Sequence, residues 1–157
     1  MTKWIDYPWL TTGAIIYKPS KGILLVHRTD KCRDERWTRD LIGWGIDFGD
    51  TALSTIQKEI KEEVNLKIDD SQMHFLWFRE QFRIHEGKPT HRVWFYYFVM
   101  LDEDQEAEIM EKDKFDDIGY FPLDDLPAIE KTNTIVYPTL TEFKERIEQL
   151  TGKKIIF

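Results

Sequence analysis

Five carboxylates and three glycines fall within one 24-residue stretch, Gly43–Leu66 (GWGIDFGDTALSTIQKEIKEEVNL). Glu59, Glu62 and Glu63 are three and four residues apart, so on a helix they share one face. Asp47 and Asp50 stand in the glycine-rich segment just before them. Clustered carboxylate oxygens suit a hard divalent cation, and exposed backbone groups suit a phosphate held by that cation. Charge alone favours a blander reading. A like-charged pair such as Glu59/Glu63 costs only about 0.2–0.5 kcal/mol on an exposed helix, and Lys58 and Lys61 offset it, so a solvated face competes with a site.

The elements that position these groups are legible in outline. Gly13–Lys18 (GAIIYK) and Gly22–His27 (GILLVH) read as strands joined by a turn at Pro19-Ser20-Lys21. Residues 28–42 are charged and aperiodic and read as a loop. Asp50 or Thr51 caps a helix running to about Val64, with Leu53, Ile56, Ile60 and Val64 as its apolar stripe. Asn65 can end it in the left-handed conformation. Met73–Ile84 and His91–Leu101 read as a hairpin around Glu86-Gly87-Lys88-Pro89. The apolar run Val93–Met100 predicts a central strand buried on both faces. Ile118–Pro122 reads as a short strand and Pro138–Leu150 as a helix. The tail Ile155–Phe157 is too short to place. Strands mixed with helices, without repeats or linkers, predict an α/β (α+β) sandwich in one domain, residues 1–157.

Composition narrows the function classes. The chain has 157 residues, 41% hydrophobic and 14% aromatic, which argues for a globular core. A net charge of −7 argues against general affinity for a nucleic-acid polymer or an anionic membrane. A small anionic ligand stays open, because a metal supplies local positive charge. There is no visible signal sequence, no apolar run of roughly 18 residues and one cysteine, Cys32. A cytoplasmic, reducing setting is expected, with Cys32 an ordinary thiol.

The register of the stretch changes the reading of the glutamates. Lys58-Glu59-Ile60-Lys61-Glu62-Glu63-Val64-Asn65-Leu66 resembles the last block of the Nudix hydrolase signature. That signature runs Gly, five residues, Glu, seven residues, Arg-Glu-apolar-x-Glu-Glu-x-Gly-apolar. The three helical glutamates match. Trp44 stands for the leading Gly, Asp50 for the first Glu, Lys58 for Arg and Asn65 for Gly. HRTDKCRDER (27–36) and IGYFPLDDLP (118–127) also resemble family segments, and the likeness covers roughly residues 12–148.

The resemblance implies a Nudix-type α/β/α sandwich with a central mixed β-sheet. It implies hydrolysis of the pyrophosphate linkage in a nucleoside diphosphate linked to X, of the nucleoside triphosphate or nucleotide-sugar class, with Mg²⁺ or Mn²⁺. The alternative is a catalytically weakened nucleotide-binding or sensor module, motivated by Trp44 and Lys58. By motif position Glu59, Glu62 and Glu63 bind metal, with Glu59 or Glu63 near the nucleophilic water. Lys58 stands where the family's Arg braces the neighbouring glutamate through a planar fork that Lys lacks. The backbone carbonyl of Trp44 or Gly43 and the side chain of Glu111 are further candidate ligands, with Glu108 and Asp113 as competitors. Trp disfavours the positive φ that a glycine position can require. Three carboxylates about 6 Å apart repel by roughly 3 kcal/mol per pair at an effective dielectric of 20, a cost that favours bound cations.

Other residues carry weaker signals. Arg28, Arg33 and Arg36, with Lys31 and Arg39, are candidate phosphate grips, against a solvated loop as the simpler reading. Trp44 is a candidate base stacker. Trp77, Phe78, Trp94, Tyr96 and Tyr97 can stack a base, although strand aromatics more often form core. Asp47 and Asp50 are read as loop-structuring residues. Family members are often dimers, so a homodimer is a candidate assembly.

Overall fold

A computed structural model describes residues 6–157; residues 1–5 of the expected single domain lie outside the described residues. β1 (Trp9–Lys18) is the axis of the sheet. It pairs in parallel with β6 (Lys88–Met100) on one side, and antiparallel with both β2 (Gly22–Arg28) and β4 (Ile42–Gly45) on the other. β2 continues outward to β3 (Arg39–Asp40) and β7 (Phe115–Phe121), and β6 to β5 (Met73–His85), an edge strand. The sheet is therefore mixed, as expected.

Each face carries one core. Ala14, Ile16, Leu24, Val26 and Ile42 pack under α1 (Ala52–Val64) through Ile56, Ile60 and Val64, each of them 0% exposed. Full burial of each of those three side chains contributes about 1.5–3 kcal/mol. Leu53, expected on the same stripe, is half-buried. The other face packs Ile15, Tyr17, Tyr96 and Phe98 against Leu140, Phe143 and Ile147. Helices thus cover both sides of the sheet.

Several boundaries differ from the sequence reading. The expected loop 28–42 contains β3 and the start of β4, because short strands at a sheet corner carry too few residues to show a period. The expected helix Pro138–Leu150 is two: α2 (Val136–Glu142) and α3 (Lys144–Thr151). Phe143, at φ −99° and ψ 10°, breaks the helical path between them but keeps its side chain in the core. The β5–β6 turn is the two residues Glu86 and Gly87, both at positive φ, rather than a four-residue loop. Such φ values match the twist of a two-residue hairpin.

The run Val93–Met100 is central but not equally buried on both faces. Trp94, Tyr96 and Phe98 are buried, whereas Phe95 and Tyr97 are half-buried. Trp77 and Phe78, expected in the core, are 59% and 42% exposed. A bulge between Phe75 and Trp77 shifts the strand register there, on the edge strand of the sheet. Gly22 joins β1 to β2 at φ +108°, where a Cβ would lie 2.1 Å from the Phe121 carbonyl oxygen, so that turn requires glycine.

Candidate active site

α1 starts where its cap is strongest. The Thr51 side chain accepts from the Ser54 backbone N–H while the Ser54 hydroxyl accepts from the Thr51 N–H, a reciprocal box. Asn65 ends the helix in the left-handed conformation, φ 55°, and its amide oxygen accepts from Lys61 Nζ at 2.7 Å. Both ends are as the sequence predicts, and they set the rotation of the carboxylates. At about 100° per residue, Glu63 lies about 60° from Ile60 around the axis, Glu59 about 100° and Glu62 about 160°. Glu63 and Glu59 are therefore drawn inward beside the apolar stripe, at 3% and 7% exposed, and Glu62 is left at the surface.

The loop before β7 is pinned to the end of α1. The backbone N–H of Met110 donates to the Glu63 carbonyl at 3.0 Å, and that of Glu108 to the Val64 carbonyl at 2.9 Å. This brings Glu111 and Lys114 to the buried glutamates. Lys114 Nζ lies 2.6 Å from Glu111 Oε2 and 4.9 Å from the Trp44 ring centroid. Glu108 instead faces Asn65, and the Asp113 carbonyl accepts from Thr29, so Glu111 is the acid that joins the cluster.

The electrostatics follow from that crowding. Burial raises the Glu59 carboxyl to about 7, helped by the charges of Glu62 and Glu111. Burial also pushes Glu63 well above the ordinary carboxylate range, with Glu59 and Glu111 adding to it. Burial opposes the charge on Lys114, but Glu111, Glu63 and Glu59 outweigh it and raise its pKa. Glu63 Oε2 is buried with no hydrogen-bond partner. A buried, unpaired carboxylate oxygen is costly and rare, and a hard cation is the partner that would satisfy it. Among the described residues, no three His, Cys, Asp or Glu side chains stand close enough together to hold an ion as they are. Glu62 is turned outward, and Lys114 occupies the charge-neutralising role beside Glu111.

The remaining expected residues divide. Lys58 is exposed and faces Glu62 at 4.0 Å, one turn on, rather than bracing Glu59. Trp44 lies on β4 opposite Thr12 and is not among the residues at positive φ, so an extended strand accommodates it where a glycine turn would not. It lines both a 200 Å³ cleft beside Glu59 and Glu62 and a neighbouring 400 Å³ cavity that Glu63 reaches. Asp47 and Asp50 border the smaller cleft.

Arg28 and Arg33 border the larger cavity. Arg28 is already engaged, donating to Asp40 at 3.0 Å and to the Asp34 carbonyl at 2.9 Å. Arg36 does not reach the cavity; its Nε donates to the Cys32 carbonyl and shapes the loop. Arg39 pairs with Asp117 on β7.

Sequence reasoning missed the far wall of that cavity. Asp40 is buried among Arg28, the Leu41 N–H and Asn133 Nδ2; burial raises it to about 6 against those three partners. Gly45 is needed because a Cβ there would lie 2.3 Å from the Trp9 ring. Arg83 and Arg92 enter from the β5–β6 hairpin. The period-two spacing of Arg79, Gln81 and Arg83, which puts them on one face of β5, carried that signal for Arg83. No local signal marks Lys114 or Asn133.

A family model described as the NUDIX domain matches residues 8–143. A MutT NUDIX hydrolase from Burkholderia pseudomallei is 24% identical with a TM-score of 0.72, over 86% of this chain and 97% of its own. The NUDIX domain of Shewanella oneidensis NrtR, complexed with ADP ribose, is 17% identical with a TM-score of 0.66, over 92% and 90%. A bifunctional NMN adenylyltransferase/ADP ribose pyrophosphatase from Francisella tularensis, complexed with AMP and a Mn ion, is 17% identical with a TM-score of 0.67, over 89% and 42%. No curated protein matches the chain.

Proposed function

This chain belongs to the Nudix family, and on that premise we propose that it is a pyrophosphohydrolase that cleaves the pyrophosphate linkage of a nucleoside diphosphate linked to X, with Mg²⁺ or Mn²⁺. The observation that carries the reading is Glu63 Oε2, buried without a partner beside Glu59 and Glu111. The chemistry of the donor set fits a divalent cation. Glu59, Glu62 and Glu63 would hold it, with Glu111 and the backbone carbonyl of Gly43 or Trp44 as further ligands. When bound, it supplies Lewis-acid polarisation of the phosphoryl group and an acidified water. A Mn ion accompanies AMP in the Francisella structure, which supports the choice of metal.

The chain's own residues divide the remaining work. Glu59 or Glu63 would stand near the attacking water, where a carboxylate can accept its proton. Lys31 and Arg33 orient substrate phosphates at the cavity mouth, and Arg28 holds the loop through Asp34 and Asp40. Trp44 narrows the passage between cleft and cavity and offers a face for a base. The decisive experiment is a nucleotide panel assayed with Mg²⁺ and Mn²⁺. The expected result is release of a nucleoside monophosphate, lost in Glu63→Gln; full turnover in excess chelator would overturn the reading.

Lys114 favours a second reading, a nucleotide-binding module with weakened turnover, because its ammonium already neutralises Glu111. Nucleotide binding by calorimetry with no hydrolysis across the panel is its signature. Among the described residues no helix is long and apolar enough to cross a membrane, and the proposed setting is cytoplasmic with Cys32 a free thiol. The proposed assembly is a homodimer, supported by the exposed Phe75, Trp77 and Phe82 on the edge strand. Sedimentation velocity checks it: Trp77→Glu should yield monomers, and a monomeric wild type sinks it.

A further inference from the structure

Lys114 stands where the two hollows of the site meet. It borders the 200 Å³ cleft together with Glu59, Glu62 and Glu111, and the 400 Å³ cavity together with Glu63. Trp44 and Gly45 share both walls with it. The Lys114 ammonium lies 4.9 Å from the centroid of the Trp44 ring, within cation–π reach.

Its backbone and its side chain are held differently. The Lys114 carbonyl accepts from the Thr29 N–H at 2.8 Å and from Cys32 Sγ at 3.3 Å. Its own N–H donates to the Glu111 carbonyl at 3.0 Å. These bonds fix the Cα between two loops. The side chain is 40% exposed, and its ammonium meets one carboxylate oxygen, Glu111 Oε2, at 2.6 Å. A lysine is a compact charge on a flexible four-carbon stem. The ammonium can therefore leave Glu111 while the backbone stays in place.

The ammonium sits against the oxygens that a hard cation would take. Glu111 Oε2 is buried and accepts no well-directed hydrogen bond, so its contact with Lys114 is a point charge against a carboxylate. Glu63 Oε2, on the cavity side, is buried without a partner as well. Burial dominates the raised carboxyls of Glu59 and Glu63, and in both the strongest opposing charge is Lys114. One flexible monovalent charge thus serves three carboxylates, from α1 and from the loop before β7, where a divalent ion binds several oxygens at once.

We propose that Lys114 is a positioning residue that competes with the divalent cation for Glu111. Its ammonium holds that carboxylate in the metal-free protein and must leave before the ion gains Glu111 as a ligand. This rests on the metal-dependent reading above and adds to it: Lys114 sets the metal concentration at which the site loads.

Mn²⁺ binding, followed by calorimetry and by the electron paramagnetic resonance of the free ion, tests this without turnover. Lys114→Met, which keeps the stem and removes the charge, should bind Mn²⁺ about 10- to 100-fold more tightly than wild type, the size of one charge-assisted contact. Lys114→Gln, neutral and polar, should show the same gain, and Lys114→Arg, which keeps the charge, should stay close to wild type. In a Glu111→Gln background Lys114→Met should change the affinity far less, because the contested carboxylate is gone. Melting of each variant in chelator confirms folding, and the metal-induced rise in Tm should repeat the order of affinities. Equal affinities of wild type and both neutral variants overturn the inference. So does a gain that persists in full beside Glu111→Gln, which means that Lys114 acts only through its charge at a distance. If none of these proteins binds Mn²⁺, the metal reading fails and the inference falls with it. If they bind Mn²⁺ and hydrolyse no nucleotide, the activity reading alone fails, and the affinities still decide this inference.

Discussion

Glu59→Gln should stabilise the metal-free protein while abolishing its turnover. The carboxyl moves from its ordinary 4.5 to about 7 in the fold, chiefly through burial and then through Glu62 and Glu111. At about 1.4 kcal/mol per pH unit, keeping it ionised inside the site costs up to about 3 kcal/mol. The sign follows from linkage. The folded protein holds this proton more tightly than the unfolded chain, so the favourable contribution is whole below pH 4.5 and is lost as the pH rises to about 7. Glutamine is isosteric and neutral, so the variant escapes the loss. For a domain of this length 1 kcal/mol corresponds to about 2–4 °C, so Tm at pH 8 in chelator should rise by up to about 6–12 °C. At pH 4.5 the two proteins should melt together, and saturating Mg²⁺ should close the gap at pH 8 by stabilising only the wild type. Thermal melts across pH 4.5–8, with and without metal, measure all three. A variant that melts lower than wild type at pH 8 in chelator, or a difference that does not grow with pH, would refute the electrostatic reasoning.

Mg²⁺ or Mn²⁺ at 100 times its Kd should add about 2.7 kcal/mol of stability, read as a Tm rise at pH 8 that disappears in Glu63→Gln. Gly45→Ala, which drives a Cβ to 2.3 Å from Trp9, should cost about 1–3 kcal/mol in denaturant melts. Asp40→Ala strips the Arg28 guanidinium and Asn133 of a buried partner and should cost about 3 kcal/mol or more, measured the same way. Lys58→Ala should change stability by less than about 0.5 kcal/mol, because its 4.0 Å contact with Glu62 is solvent-exposed.

The α1 segment shows what local chemistry suffices to specify. Its stripe, its Thr51 start, its Asn65 stop and the inward turn of Glu59 and Glu63 all follow from a 3.6-residue period acting on adjacent residues. The β1–β2 pair and the two-layered helix cover follow from similar short-range patterns. The strands of residues 39–45 did not, because segments of two and four residues carry no measurable period. Nor did the outward aromatics of β5, because a bulge and an edge position decide them.

The sequence by itself determined the family, the order of the main elements and the gathering of Glu59, Glu62 and Glu63 on one helix, since each is written in neighbouring residues. The tertiary structure alone decided the rest. It set Lys58 away from Glu59, gave Trp44 a strand instead of a strained turn, and brought Glu111 and Lys114 to α1 through hydrogen bonds from a loop more than 40 residues on. It also gathered Arg33, Arg83 and Arg92 from a loop and two strands around one cavity. Burial and the proximity of distant charges created the raised carboxyls and the basic pocket, and neither exists until the sheet has closed.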